Sequence, residues 1–442
     1  MNQVFTSDAK VASKNAANDI RRIAVASVIG TTVEWYDLFV FGTASALVFN
    51  KVFFPSFVPL IGTLLAFGTF AAAYLARIVG AALFGHFGDR LGRKAMLLFS
   101  LGLMGLATFC IGLLPNYSSI GIAAPLLLLS LRITQGLALG GEWGGAVLMA
   151  VEHAPPHRRG LYGSWVQIGV PAGTLVANLV FLLCDAVLSS DDLVSWGWRI
   201  PFLASALLVL VGLYVRVNTT ETPSFQKVKD TSGVVKVPLA ELLRKYWKQV
   251  ILGGVATMST GTSFNLIAAF GLTYGTQTLG FSRSTMLSIA LISCALCIAL
   301  LPAFGWLSDR LGRKPIIICG IVAEALFAFP LFWLLDTREF VLALLGYVLM
   351  MSAFAANYGP IATFLAELFS TQVRYSGLSV SYMLSGVLGS AATPIVTTAL
   401  LSLTGSGVSV AWFMIGSAAL SLIALFLLTE TLSRKPDGPG RT

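Results

Sequence analysis

The sequence predicts an all-α integral membrane protein of twelve transmembrane helices in two six-helix bundles, with both termini in the cytoplasm. Three observations predict it. Of 442 residues, 56% are hydrophobic and only 11% charged, with a mean hydropathy of +0.82. A soluble domain carries about 25% charged residues, and a surface this apolar aggregates in water. Twelve apolar runs follow one another, each near the roughly 20 residues that cross a bilayer. Finally, polar landmarks of the first half return in order in the second. A soluble enzyme, a disordered chain and a secreted disulfide scaffold are excluded together.

A polar tail, 1–22, comes first, and the apolar run behind it lacks a cleavage pattern, so the first span reads as an uncleaved anchor. Spans near 23–49, 60–85, 95–115, 120–151, 161–188 and 199–217 make an N-terminal bundle, 23–217. The longest polar stretch, 218–248, is a central cytoplasmic loop. Spans near 249–274, 285–307, 315–335, 339–366, 377–402 and 409–429 make a C-terminal bundle, 249–429, and a cytoplasmic tail, 430–442, closes the chain. Basic residues set the orientation. With the N-terminus inside, the outer loops hold only Lys51, Arg199, Arg283 and Arg338, and Arg77 and Arg132 lie within spans. Every other Lys and Arg is cytoplasmic. The formal charge of +9 therefore faces anionic lipid headgroups, not nucleic acid. Cys110, Cys184, Cys294, Cys297 and Cys319 all fall in apolar runs. The Cys294–Cys297 pair has no neighbouring His or basic residue, so these thiols read as small packing residues.

The repeat is specific. Gly85-His-Phe-Gly-Asp89-Arg90-Leu-Gly92-Arg93-Lys94 follows the second span, and Gly305-Trp-Leu-Ser-Asp309-Arg310-Leu-Gly312-Arg313-Lys314 follows the eighth. Glu152 and Arg159 follow the fourth span, Glu367 and Arg374 the tenth. Thr220-Glu221-Thr222 follows the sixth, Thr429-Glu430-Thr431 the twelfth. The halves are a duplicated unit of the same membrane orientation. The chain thereby resembles the major facilitator superfamily, and within it the metabolite:proton symporters. Narrower markers carry the second likeness: Glu34-Trp35-Tyr36-Asp37, Arg132-Ile-Thr-Gln135-Gly136, Gly140-Gly141-Glu142-Trp143-Gly144-Gly145, Ser195-Trp196-Gly197-Trp198-Arg199-Ile200-Pro201-Phe202, Glu221-Thr-Pro223-Ser-Phe225, and Glu367-Leu-Phe369 with Val373-Arg374-Tyr375-Ser-Gly377. Phe41 departs from the Tyr that relatives often carry. The resemblance implies a secondary transporter in the bacterial inner membrane, working by alternating access. Its members include carriers of shikimate, 2-oxoglutarate, citrate, aromatic acids and proline or betaine.

Ionisable groups inside the bilayer cost roughly 2.5–3.5 kcal/mol each on insertion scales and mark function. Glu34 and Asp37 share a face of the first span at i, i+3 spacing. Two carboxylates so placed repel when both are ionised, which suits an exchangeable proton carried by Asp37 or Glu34. Glu142, on the face of Gln135, is either an inner relay for that proton or the partner of Arg77. Arg132 offers a planar fork to a carboxylate substrate and is equally placed to pair with Asp37. Gln135, Arg77, Gln167, Asn265, Tyr274, Asn357, Tyr358 and Tyr382 complete the expected substrate contacts, each also able to tie helices together. Glu324 is an isolated acid in span 9, open to pairing or to a relay. A cytoplasmic gate is expected from Asp89, Arg90, Arg93, Glu152 and Arg159, and from Asp309, Arg310, Arg313, Glu367 and Arg374. Glycines crowd span 4 and span 11, where helices must approach and slide.

The expected function is proton-coupled uptake of a small organic acid across the plasma membrane. The alternatives are a carrier of a zwitterion such as betaine or proline, and a non-transporting membrane sensor. Nothing in the sequence has the spacing of a nucleophile elbow, a phosphate loop or a metal site, so no enzyme activity, catalytic residue, cofactor or metal is expected. The expected partners are the substrate, protons and lipid, with the protein a monomer.

Overall fold

A computed structural model describes residues 27–56, 59–91, 93–140, 142–217, 244–370 and 373–432, together with Val25 and Leu242. The side chains of 85–97 are outside that description, and so are the tail 1–22 and residues 218–241 of the central loop. The described residues form twelve long helices: α1 (27–52), α2 (Pro59–Leu91), α3 (Arg93–Leu113), α4 (Ala123–His153), α5 (Pro156–Val187), α6 (Arg199–Val217), α7 (Trp247–Thr278), α8 (Arg283–Leu311), α9 (Arg313–Asp336), α10 (Phe340–Leu368), α11 (Arg374–Thr404) and α12 (Gly407–Leu427). Ten of them contain a stretch long and apolar enough to cross a membrane, and Leu98–Leu113 in α3 is a shorter apolar helix. The remaining helix, α1, carries Glu34 and Asp37.

Helix ends follow their capping residues. Ser282 accepts the Thr285 amide at the start of α8, and Ser406 accepts the Val408 amide at the start of α12. Between α8 and α9 the chain turns at Gly312, whose φ of 104° needs a residue without Cβ. Helix α9 begins at once, and its first free amides, those of Arg313 and Lys314, are taken by the Glu430 carboxylate at 3.1 and 2.9 Å. Residues 430–432 are thus bound to the start of α9, whereas the sequence suggested a tail from 430. Burial lifts the Glu430 carboxyl, but the amides of Leu432, Lys314, Arg313 and Thr431 outweigh it and hold that carboxyl below its usual range.

Within the halves, α2 packs on α4, α3 on α6, and α9 on α10 and α12. The α2–α4 contact is closed by glycine: a Cβ on Gly136 would strike the Ala73 carbonyl, and one on Gly140 the backbone of α2. Across the halves, α5 packs on α8 and α2 on α11. Helix α1 is buried at every described side chain from Val33 to Phe49, and α7 is the most enclosed of the ten apolar spans. One face gathers Arg158, Arg159, Asp309, Arg313, Lys314, Glu367 and Arg374; we call it the basic face. It is the face predicted to be cytoplasmic.

Candidate functional site

A cavity lies between the halves, midway along the helices. Its wall is Trp35 and Phe39 of α1, Tyr74 and Arg77 of α2, Val170 of α5, Thr260, Gly261, Phe264 and Asn265 of α7, Phe354 and Tyr358 of α10, and Tyr382, Met383, Ser385, Gly386 and Ser390 of α11. Gly386 and Ser390 reach it because α11 opens into a π-turn over Gly386–Ala391. Such turns recur at functional sites, since they redirect side chains within one helix.

Among the described residues, Arg77 is the only Lys, Arg or His on this wall, which carries no described Asp or Glu. It is 2% exposed. Its guanidinium sits 4.6 Å from the Tyr74 ring centre and 5.6 Å from that of Trp35. Its Nε and Nη2 have no hydrogen-bond partner among the described residues. Aromatic stacking holds it on this wall. Asn265 donates to the Gly261 carbonyl at 3.0 Å, while its buried Oδ1 has no hydrogen-bond partner among the described residues. The hydroxyls of Tyr358 and Tyr382 meet at 2.8 Å.

Behind this wall, inside the N-terminal half, a hydrogen-bonded chain joins three helices. Arg132 Nη1 donates to Gln135 Oε1 at 2.6 Å, Gln135 Nε2 donates to Thr108 Oγ1, and Thr108 donates to Asp37 Oδ2 at 2.9 Å. The Arg132 guanidinium lies 3.8 Å from the centre of the Phe41 ring. Arg132 and Gln135 are therefore off the cavity wall, linked to Asp37 through Thr108. The sequence reading missed Thr108: a threonine in an apolar helix ordinarily bonds back to its own backbone, as Thr108 also does to Met104 at 3.1 Å. Glu34 and Glu142 are 2% and 1% exposed.

The other expected substrate contacts divide. Asn265, Tyr358 and Tyr382 line the cavity. Gln167 lies toward the basic face, accepting from Trp143 Nε1 at 3.1 Å and donating to the Tyr358 carbonyl at 3.2 Å. Trp143 stacks on Tyr382 with ring centres 3.6 Å apart and planes 12° apart. This α4–α5–α10–α11 patch bridges the halves; the sequence reading places Trp143 within a family marker and gives it no role. Tyr274 bonds Asp336 near the opposite face. Asn357 donates to Glu324 and Ser259, one layer behind the wall.

At the basic face, several of the residues expected in a cytoplasmic gate meet across the halves. Arg313 pairs with Asp309 at 2.7 Å and Glu367 at 3.3 Å. Asp309 accepts the amides of Gly160 and Leu161 at the start of α5, at 2.8 and 2.9 Å, so a carboxylate of one half caps a helix of the other. Glu152 of α4 pairs with Arg374 of α11 at 3.3 Å, again across the halves. Arg159 contributes its carbonyl, which accepts from Thr363 at 2.9 Å. Arg310 is exposed and stacks on Trp306 at 4.0 Å, outside the gate. The side chains of Asp89, Arg90 and Arg93 are outside the described residues. On the opposite face Arg283 approaches Asp185 at 3.7 Å, and on the cavity wall Phe39 meets Phe264 at 5.1 Å across the halves.

Comparison with known proteins agrees with this architecture. The Major Facilitator Superfamily profile matches residues 39–394, and again 296–441. The inner membrane metabolite transport protein YhjE of Escherichia coli K12 is 43% identical over 94% of this chain and 95% of that protein. The shikimate transporter of the same organism is 37% identical over 93% of this chain and 95% of its own length. Its proline/betaine transporter is 32% identical over 95% and 85%. Among solved structures, a D-xylose-proton symporter superposes with a TM-score of 0.73 at 22% identity, covering 94% of this chain and 99% of that one.

Proposed function

The chain belongs to the major facilitator superfamily, and on that premise we propose that it imports a small monocarboxylate together with protons. It is a multi-pass transporter of the inner membrane and not an enzyme. The observation that carries the finer reading is Arg77, a buried guanidinium on the wall of the central cavity with two nitrogens unbonded by the described residues. A buried donor without a partner costs about 1–3 kcal/mol, more when charged. A substrate carboxylate supplies the missing acceptors. A single cation on the wall suits one carboxylate rather than the three of a citrate.

Charge balance supplies the proton. Among its described residues, the N-terminal half buries three carboxyls, Glu34, Asp37 and Glu142, against two guanidiniums, Arg77 and Arg132. One proton neutralises this set, and a bound monoanion calls for a second. Asp37 is our proton carrier. The chain from Arg132 through Gln135 and Thr108 supports it, because a change of charge at Asp37 reorganises hydrogen bonds as far as Arg132.

A second reading has a specific support. Trp35, Phe39, Tyr74, Phe264, Phe354, Tyr358 and Tyr382 make an aromatic wall of the kind that holds quaternary ammonium groups. The proline/betaine relative makes this concrete. Arg77 argues against it, because its own cation already occupies the Trp35 and Tyr74 rings and repels another. The test is uptake into proteoliposomes of labelled shikimate, 2-oxoglutarate, citrate, proline and betaine under an acid-outside step. The expected outcome is accumulation of a monocarboxylate that an uncoupler collapses. Accumulation of betaine alone selects the second reading, and uptake indifferent to the pH step rejects proton coupling.

A further inference from the structure

Glu324 is buried at 2% exposure in the middle of α9, away from the charged helix ends, and the mechanism above leaves it unused. It lies eleven residues into α9 from Arg313 and twelve before Asp336. About 16–18 Å of helix therefore separates it from the charges at either end. Asn357 Nδ2 of α10 donates to both of its oxygens, at 3.2 Å each, and to Ser259 Oγ of α7 at 3.0 Å. The hydroxyls of Ser259 and Ser263 also face the carboxyl. Among the described residues it has no ion pair.

The helices around it offer no cation at this depth. Helix α8 presents the thiols of Cys294 and Cys297, and α10 the phenols of Tyr347 and Tyr358. Helix α12 has no titratable group, and on α7 the titratable groups are Lys248 at the basic end and Tyr274, bonded to Asp336, at the other. Asp309, Arg310, Arg313 and Glu367 sit at the basic face. A carboxylate surrounded by neutral donors in a membrane interior is an uncompensated charge, and such groups neutralise by binding a proton.

The cluster is one residue away from the cavity at three points. Ser259 precedes Thr260, Ser263 precedes Phe264, and Asn357 precedes Tyr358, all of which line the wall. The 215-residue repeat that relates Glu152 to Glu367 also places Asn357 at the position of Glu142, and Tyr358 at that of Trp143. Each half therefore has a buried carboxyl at or beside this position: Glu142 itself in the first, Glu324 across the Asn357 amide in the second. Asn357 Oδ1 is buried with no hydrogen-bond partner among the described residues, and a half-turn of the amide would offer it to the O–H of the acid form.

We propose that Glu324 is a second proton-binding site, in the C-terminal half, loaded and emptied through Ser259 and Asn357 from the cavity. The step is a single O–H bond made and broken: the carboxylate takes a proton from cavity water on one side and returns it to water on the other. The site stands on the geometry of the C-terminal half. Its use in a transport cycle rests on the proton coupling proposed above. It adds one proton per turnover, which multiplies the attainable accumulation about tenfold for each unit of pH difference.

Infrared difference spectroscopy on the purified full-length protein, stepped between acid and alkaline pH, tests the site without any substrate. The wild type minus Glu324→Gln difference should contain a carboxylic C=O band that vanishes at alkaline pH. That band should persist in Asp37→Asn and move in frequency in Glu324→Asp. Gln keeps an acceptor for Asn357, and melting temperatures check that each variant folds. Identical wild-type and Glu324→Gln spectra overturn the proposal. So does a band that responds to sodium chloride at fixed pH, which makes the cluster a metal-cation site. Failure here leaves gradient-driven uptake through Asp37 intact, so the two readings fall separately.

Discussion

Arg132 and Arg77 are both buried guanidiniums, yet their surroundings give them opposite roles. Arg132 spends one face on Phe41 and one nitrogen on Gln135. Arg77 stacks on Tyr74 on the wall of the cavity, which Arg132 does not line. Arg77→Lys keeps the charge and loses the fork, so the KM of the transported acid should rise roughly 10-fold or more, as expected for a lost charged hydrogen bond of about 1.5–3 kcal/mol. Uptake kinetics with unchanged KM would move the anchor elsewhere. Asp37→Asn should abolish gradient-driven accumulation while counterflow exchange continues, and normal accumulation would remove Asp37 from the coupling. Thr108→Val cuts the chain between Asp37 and Gln135 at nearly constant volume. It should shift the pH dependence of uptake without raising KM to the degree of Arg77→Lys, and a wild-type pH profile would make Thr108 mere packing. The charged members of this site were legible in the sequence because charge inside an apolar run is rare. Thr108 and Trp143 were not, since threonine and tryptophan are ordinary there and only contact between distant helices reveals their use.

At the level of elements, the basic face works by exchange. The repeat puts Glu152, Arg159, Glu367 and Arg374 at one cytoplasmic face, beside the Asp-Arg loops, without saying which of them meet. Helix packing places α4 against α11 and α5 against α8, so Glu152 meets Arg374 and Asp309 caps α5. The spacing of these residues was legible, but their partners depend on which helix ends meet across the halves, and one-dimensional periodicity does not contain that. Asp309→Asn replaces charge-assisted acceptance of two amides by a weaker neutral one. The closed basic face should lose about 1–2 kcal/mol, a shift of roughly 5- to 30-fold in population. A Ser385→Cys probe on the cavity wall, in a background freed of the native cysteines, should then react faster with an impermeant maleimide added from the basic side. An unchanged rate would show that Asp309 does not hold this face shut.

For the whole molecule, the span count, the two halves and their repeat were legible because bilayer thickness dictates helix length and duplication preserves landmarks. The cavity was not, since its wall draws on α1, α2, α5, α7, α10 and α11, and only folding gathers them. The strap formed by Glu430 is another such case. Its carboxyl is held below its usual range, so its stabilisation is present above the ordinary carboxylate pKa of about 4 and is lost as pH falls through the lower folded value. The melting temperature of the wild type should exceed that of Glu430→Gln at neutral pH, and the gap should close under acid; a gap independent of pH would contradict this. One last property follows from Arg77 lying between Tyr74 and Trp35. Trp35 is the sole tryptophan among the residues lining the cavity, with a cation at its ring that an arriving anion must draw away. The protein thus carries its own optical reporter: filling the cavity changes the emission of one indole among nine.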